Sequence, residues 1–85
     1  MSTPPDTTKA RILIVEDEVL IGLDLKIRLS NWGYTVTDQV LSAEKALESI
    51  EKTQPDLILM DINLRGKMDG IEAAAIIRER WEIPV

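Results

Sequence analysis

The chain has 85 residues, enough for one small domain, and its 45% content of hydrophobic residues is typical of a globular fold. It contains no cysteine and no histidine, which excludes disulfides, thiolate or imidazole metal sites and an internal phosphohistidine. The formal net charge of −5 argues against a general nucleic-acid-binding surface and favours binding of a cation.

The N-terminal segment, residues 1–10, is polar and contains Pro4-Pro5. It predicts a flexible tail and lacks the apolar core of a signal peptide. No apolar run in the sequence approaches the ~20 residues that a membrane-spanning helix needs. These features predict a cytoplasmic protein that does not interact with a membrane.

The first structural element is a strand over the apolar run at residues 12–15, which is rich in β-branched residues and suits burial on both faces. Three acids, Glu16, Asp17 and Glu18, follow directly. Residues 19–32 predict a helix because of their length, although apolar and polar residues partly alternate there. The apolar residues form two arcs, so this helix must contact two partners. One arc consists of Leu20, Leu23 and Ile27, and the other of Ile21, Leu25, Leu29 and Trp32.

The middle of the chain predicts an edge strand followed by an amphipathic helix. Residues 34–40 are β-prone but include polar positions, which indicates partial exposure. Ser42 is a suitable N-cap for the second helix, and Gln54-Pro55 would end it. The apolar residues between them recur at helical spacing, namely Ala43, Ala46, Leu47 and Ile50.

A short apolar run at residues 57–60 predicts a third strand that ends on Asp61. A loop follows, and Asp69 can cap a third helix that begins near Gly70. Residues 83–85 resemble the start of a fourth strand.

Alternation of strands and helices predicts a parallel α/β sheet built with right-handed crossovers. We expect the strand order 2-1-3, with the first helix on one face and the other two on the opposite face. Glu16, Asp17 and Asp61 would then converge at one edge, where ligands of such sheets bind. Clustered carboxylates repel unless a cation neutralises them, and all-oxygen ligands suit Mg²⁺. The alternative, that Glu16 and Asp17 only favour the first helix dipole, leaves Asp61 unexplained.

Three sequence motifs carry a resemblance to a known family. They are Ile-Leu-Ile-Val-Glu-Asp-Glu, Pro-Asp-Leu-Ile-Leu-Met-Asp-Ile-Asn-Leu and Met-Asp-Gly-Ile-Glu-Ala-Ala. In this order and spacing, residues 11–85 resemble the receiver domain of two-component response regulators. The resemblance implies a doubly wound, flavodoxin-like fold and a signalling phosphoprotein that is not an enzyme. It implies that a partner histidine kinase or phosphotransfer protein donates a phosphoryl group.

The resemblance also assigns roles to individual residues. It implies that Asp61 is the phosphoacceptor nucleophile and that Asp17 binds Mg²⁺ directly. Glu16 would bind the metal through water or from a second layer, and the backbone carbonyl of Asn63 would be a further ligand. Arg65 departs from the family pattern, which often has proline there.

The family's five βα units extend beyond the elements found in this sequence. The switch Ser/Thr and the phosphoryl-contacting Lys follow the fourth and fifth strands, so neither has a counterpart here, and Lys67 lies in a different loop. We therefore expect residues 11–85 to be the N-terminal portion of a receiver domain that lacks two βα units. Self-association is expected through the third strand's free edge or through the arc of Ile21, Leu25, Leu29 and Trp32.

Two other functions stay open on the sequence. Residues 61–72 nearly match an EF-hand calcium loop, although Arg65 stands where an oxygen ligand belongs and the preceding segment is too β-like for the entering helix. The chain could also be a protein-binding fragment that is not phosphorylated.

Overall fold

The computed structural model describes residues 10–85. The predicted tail, apart from Ala10, therefore lies outside the described residues. The three predicted strands and the three predicted helices of residues 11–81 are present, in the predicted order. They are β1 (Arg11–Val15), α1 (Val19–Asn31), β2 (Thr35–Val40), α2 (Ala43–Thr53), β3 (Leu57–Met60) and α3 (Gly70–Trp81).

The three strands form one parallel sheet in the order β2-β1-β3, which confirms the predicted topology. The central strand β1 is buried from Ile12 onward, as expected for a continuous apolar run between two layers. The edge strand β2 is exposed or half-buried throughout, as predicted from its polar residues.

The register of β1 and β3 determines which residues meet at the carboxyl edge of the sheet. Val15, the last residue of β1, pairs with Met60, the last residue of β3. The Asp61 N–H donates to the Val15 carbonyl at 3.0 Å, and the Glu16 N–H donates to the Val40 carbonyl at 3.0 Å. The acids that follow the two strands therefore leave the sheet side by side.

Alternate residues of β1 supply two separate cores. Leu13 and Val15 pack with β3 residue Ile58 and with the buried faces of α2 and α3. Ile12 and Ile14 pack on the opposite face, against Leu29 of α1. The helices therefore lie one on one face and two on the other, as predicted.

The assignment of the two apolar arcs of α1 needs a correction. Leu29 is buried and Leu25 packs against the same cluster, so their arc covers the sheet and is not the unpartnered one. The apolar residues of the other arc are exposed: Leu20, Leu23 and Ile27. Ile21 and Trp32 lie in the sheet-facing arc by sequence but are also exposed. Self-association itself stays a prediction, and the arc of Leu25 and Leu29 is not free to mediate it.

Polar caps fix the ends of the two helices that pack together. The Ser42 hydroxyl accepts a hydrogen bond from the Lys45 N–H at 3.2 Å, as the sequence predicted. The Asp69 carboxylate accepts one from the Glu72 N–H at 2.9 Å and caps α3.

The chain after α3 does not form the predicted fourth strand within the described residues. It nevertheless runs beside β3, because the Ile58 N–H donates to the Pro84 carbonyl at 3.0 Å. One hydrogen bond is too little to define a ladder, and the edge of β3 is only partly covered.

Candidate functional site

Three carboxylates meet at the carboxyl edge of β1 and β3. Oxygen atoms of Glu16, Asp17 and Asp61 all lie within 4.8 Å of one another. Glu16 is buried, with 8% of its surface exposed, whereas Asp17 and Asp61 are half-buried. The convergence predicted from the two strand ends is confirmed, and it follows from the pairing of Val15 with Met60.

Burial raises the pKa of the Glu16 carboxyl above its ordinary value of 4.5. The negative charge of Asp61 raises this pKa further, and that of Asp17 acts in the same direction, while a hydrogen bond with the Glu18 backbone lowers it. Ionised Glu16 therefore lacks sufficient compensating charge in the metal-free protein. A partly dehydrated, all-oxygen donor set of this kind fits a hard divalent cation.

We expect Glu16→Gln to reduce the loss of stability of the metal-free protein between pH 4.5 and neutral pH. The pKa of Glu16 is higher in the folded protein than in the unfolded protein. Its carboxyl group therefore contributes its full stabilisation only at pH values below the unfolded-state pKa. That contribution disappears as the pH rises through the folded pKa. Glutamine has no proton to lose, so the variant avoids this loss. Urea denaturation in the presence of a chelator, at both pH values, measures the effect.

The matched control is Glu18→Gln, which removes an exposed carboxylate from the same segment. An unchanged pH dependence in Glu16→Gln would contradict the electrostatic description of the cluster. In excess Mg²⁺ we expect the wild type to be more stable than Glu16→Gln at neutral pH, because a bound cation favours the ionised wild-type carboxylate.

The start of the loop after β3 orients the Asp61 side chain. The Asn63 N–H donates to Asp61 Oδ1 at 2.9 Å, across two residues. This local turn holds the carboxylate at the strand end instead of leaving its rotamer free. The role expected for the Asn63 carbonyl as a metal ligand stays a prediction.

Arg65 enters the site in a way that the sequence did not predict. Its Nε atom lies 3.5 Å from Asp17 Oδ2, so a cation from the loop after β3 contacts a carboxylate after β1. The sequence showed only that Arg65 replaces a residue that is often proline in the resembled family. No spacing rule brings residues 48 positions apart together, and this contact depends on the conformation of the loop.

The structure excludes the EF-hand alternative. Such a site needs a helix before the loop, and the element that ends next to Asp61 is the strand β3. Asp69 caps α3, and Glu72 is an exposed residue of its first turn.

The fold and the site together define a parallel α/β domain with an acidic, metal-competent edge. The family model for the response regulator receiver domain matches residues 12–85. The chain therefore belongs to the response regulator receiver domain family.

Individual relatives agree with this assignment. The chain is 37% identical over 75 residues to the transcriptional regulatory protein PdtaR of Mycobacterium tuberculosis (strain ATCC 25618 / H37Rv), covering 88% of this chain and 36% of PdtaR. It resembles the crystal structure of the response regulator PhyR from Brucella abortus with a TM-score of 0.85 and 33% identity, covering 92% of this chain and 32% of that one.

A third similar structure is the signal receiver domain of a modulated diguanylate cyclase from Desulfovibrio desulfuricans G20. Its TM-score is 0.83 at 34% identity, with 88% of this chain and 61% of that chain covered. The chain spans about a third of the length of PdtaR and of PhyR. Within residues 10–85, no helix has both the length and the apolar character needed to cross a membrane.

Proposed function

We propose that this chain is the phosphoacceptor part of a response regulator and that Asp61 receives the phosphoryl group with the help of Mg²⁺. The observation that carries the proposal is the convergence of Glu16, Asp17 and Asp61 at the sheet edge. The membership in the receiver family supports the assignment of Asp61 as the nucleophile.

These 85 residues contain no histidine, so a phosphohistidine donor lies outside this segment. A phosphohistidine of a sensor kinase or a phosphotransfer protein is the partner that the family assignment favours. In the transfer, an oxygen of the Asp61 carboxylate attacks phosphorus in line with the bond to the donor nitrogen. The O–P bond forms while the N–P bond breaks, and the electron pair of the broken bond stays on the donor imidazole. The product is an acyl phosphate on Asp61.

Each site residue has a distinct role in this proposal. The hydrogen bond from Asn63 keeps the Asp61 carboxylate oriented at the mouth of the site. Asp17 and Asp61 would hold Mg²⁺, with Glu16 behind them and the Asn63 carbonyl as a further ligand. When bound, the ion neutralises the charge of the phosphoryl oxygens and of the carboxylates. The chain acts as a signalling acceptor in this scheme and not as an enzyme, and its cytoplasmic location stays a prediction.

Titration with Mg²⁺ tests the metal site directly. We expect Asp17→Asn and Asp61→Asn each to weaken binding roughly tenfold or more, because each removes an anionic oxygen from the proposed ligand set. Isothermal titration calorimetry measures the affinity.

The control variant for this titration is Glu72→Gln, which removes a carboxylate from the first turn of α3, and it should bind Mg²⁺ like the wild type. Unchanged affinity in both aspartate variants would count decisively against the site. A loss in Glu72→Gln equal to that in the aspartate variants would show that binding reflects net charge alone.

A further inference from the structure

The ion pair between Arg65 and Asp17 joins two residues of very different exposure. The Arg65 side chain is 83% exposed, whereas that of Asp17 is 13% exposed. The guanidinium therefore approaches the acidic cluster from solvent and contacts it at the rim. Asp17 Oδ2 is the oxygen that Arg65 contacts, and Asp17 also belongs to the group of carboxylates that can hold a metal.

We propose that Arg65 is a built-in competitor of the metal ion, which holds Asp17 in the metal-free protein and has to leave it when the ion binds. The inference rests on the proposed function, since it concerns occupancy of the same site. Asp17 has little free surface and Arg65 already contacts its Oδ2 atom, so an ion that binds this oxygen has to displace the guanidinium. A divalent ion bound to Asp17 would also repel the positive charge of the Arg65 guanidinium.

Competition between an arginine and the ion does not depend on pH and is reversible. The guanidinium stays charged throughout the accessible pH range, so only displacement, and not deprotonation, can remove its charge from Asp17. A pair with such an exposed partner is weak, because solvent screens it. Arg65 therefore lowers the affinity for the ion moderately and does not block the site.

The loop offers a matched control for this role. Lys67 carries the same charge two residues further on and is exposed. Within the described part of the chain, Arg65 and not Lys67 pairs with Asp17. Loss of the Lys67 charge therefore changes the general potential of the loop without freeing the Asp17 carboxylate.

The test compares Mg²⁺ affinity by calorimetry in wild type, Arg65→Gln, Arg65→Lys and Lys67→Gln. We expect Arg65→Gln to bind roughly three- to tenfold more tightly, because it frees Asp17 and removes a nearby positive charge. Arg65→Lys should stay close to wild type, and Lys67→Gln should change less than Arg65→Gln. The gain in Arg65→Gln should shrink as the ionic strength rises.

Equal or weaker binding by Arg65→Gln would overturn the proposal, and so would an equal gain in Lys67→Gln. Loss of binding in Asp17→Asn together with unchanged binding in Arg65→Gln would retain the metal site and reject the competitor role. Absence of Mg²⁺ binding in the wild type and in all variants would instead reject the proposed metal site, and the competitor role with it.

NMR of the Arg65 Nε–H in metal-free wild type and Asp17→Asn gives an independent readout. The signal should shift on substitution of Asp17 and on addition of Mg²⁺, and a signal that is insensitive to both would also overturn the proposal.

Discussion

Asp61→Asn is expected to reduce phosphorylation of this chain to the level of a donor-free control. The amide has no anionic oxygen to attack phosphorus, and the proposed scheme assigns the other acids at the edge, Glu16 and Asp17, to the metal and not to the attack on phosphorus. Treatment with a small phosphodonor and Mg²⁺, followed by intact mass spectrometry, measures incorporation. An acyl phosphate on Asp61 should also be released by hydroxylamine, which leaves phosphoserine and phosphothreonine intact.

The wild-type rate has to be known before this variant is interpreted. The family resemblance places a phosphoryl-contacting Lys and a switch Ser/Thr after further strands, and a polypeptide of residues 1–85 does not contain them. We therefore expect residues 1–85 to be phosphorylated slowly, and a chain with two additional βα units to react faster, because the added Lys stabilises the transferred group. The effect of Asp61→Asn should be compared in both lengths.

Two results would contradict these expectations. Phosphorylation that persists in Asp61→Asn would place the acceptor at another residue. Rapid phosphorylation of residues 1–85, at the rate of the longer chain, would show that a Lys after the further strands is unimportant for transfer from a small donor. Asp38→Asn is a suitable control for the substitution itself, because Asp38 lies on β2 and its carboxylate accepts a hydrogen bond from Ser49.

The acidic edge could be predicted because it depends on strand ends. A buried strand has a sharp apolar-to-acidic boundary, and parallel pairing of two such strands places both boundaries together. Glu16 and Asp61 follow directly from that rule. The helix caps at Ser42 and Asp69 could also be predicted, because a cap depends only on local sequence. Each cap needs a short polar side chain three residues before the N–H from which it accepts a hydrogen bond.

The orientation of α1 was predicted less well because both of its arcs are apolar. Hydrophobicity alone does not distinguish an arc that covers the sheet from one that lies outside. Gly22 could have indicated which arc of α1 faces the sheet. It is buried and lies in line with Leu25 and Leu29, so the small residue marks the side of closest approach to the sheet. The contact of Arg65 with Asp17 had no such signal, because a loop conformation and not a periodic pattern produces it.

The strongest link between packing and the site lies at Gly70, the first residue of α3. A Cβ atom at this position would lie 2.7 Å from the Cα atom of Ile62 and 3.0 Å from the carbonyl carbon of Asp61, and it would also meet the Asp61 carbonyl oxygen. These are backbone atoms, which cannot rotate away as a side chain can. The absence of a side chain at Gly70 therefore lets α3 approach the backbone of the proposed nucleophile.

Gly70→Ala is accordingly expected to destabilise the protein by about 1–3 kcal/mol, the usual cost of forcing extra atoms into a packed site. In a domain of this size that corresponds to a fall in Tm of about 5 °C or more. The backbone of Asp61 or the start of α3 has to shift to relieve the contact, so Mg²⁺ affinity should fall as well. Thermal denaturation and calorimetry below the transition separate the two effects.

Gly22→Ala provides the matched comparison, because it is the same substitution at another buried helical glycine. There the added Cβ meets the end of the Gln39 side chain, which can move, although its hydrogen bond to the Val19 carbonyl would be lost. Alanine also favours the helix interior over glycine by about 1 kcal/mol, which offsets that loss. We expect Gly22→Ala to be close to neutral in stability and to leave Mg²⁺ affinity unchanged. Equal losses in the two variants would mean that the contact of α3 with Asp61 has no special role in positioning the site.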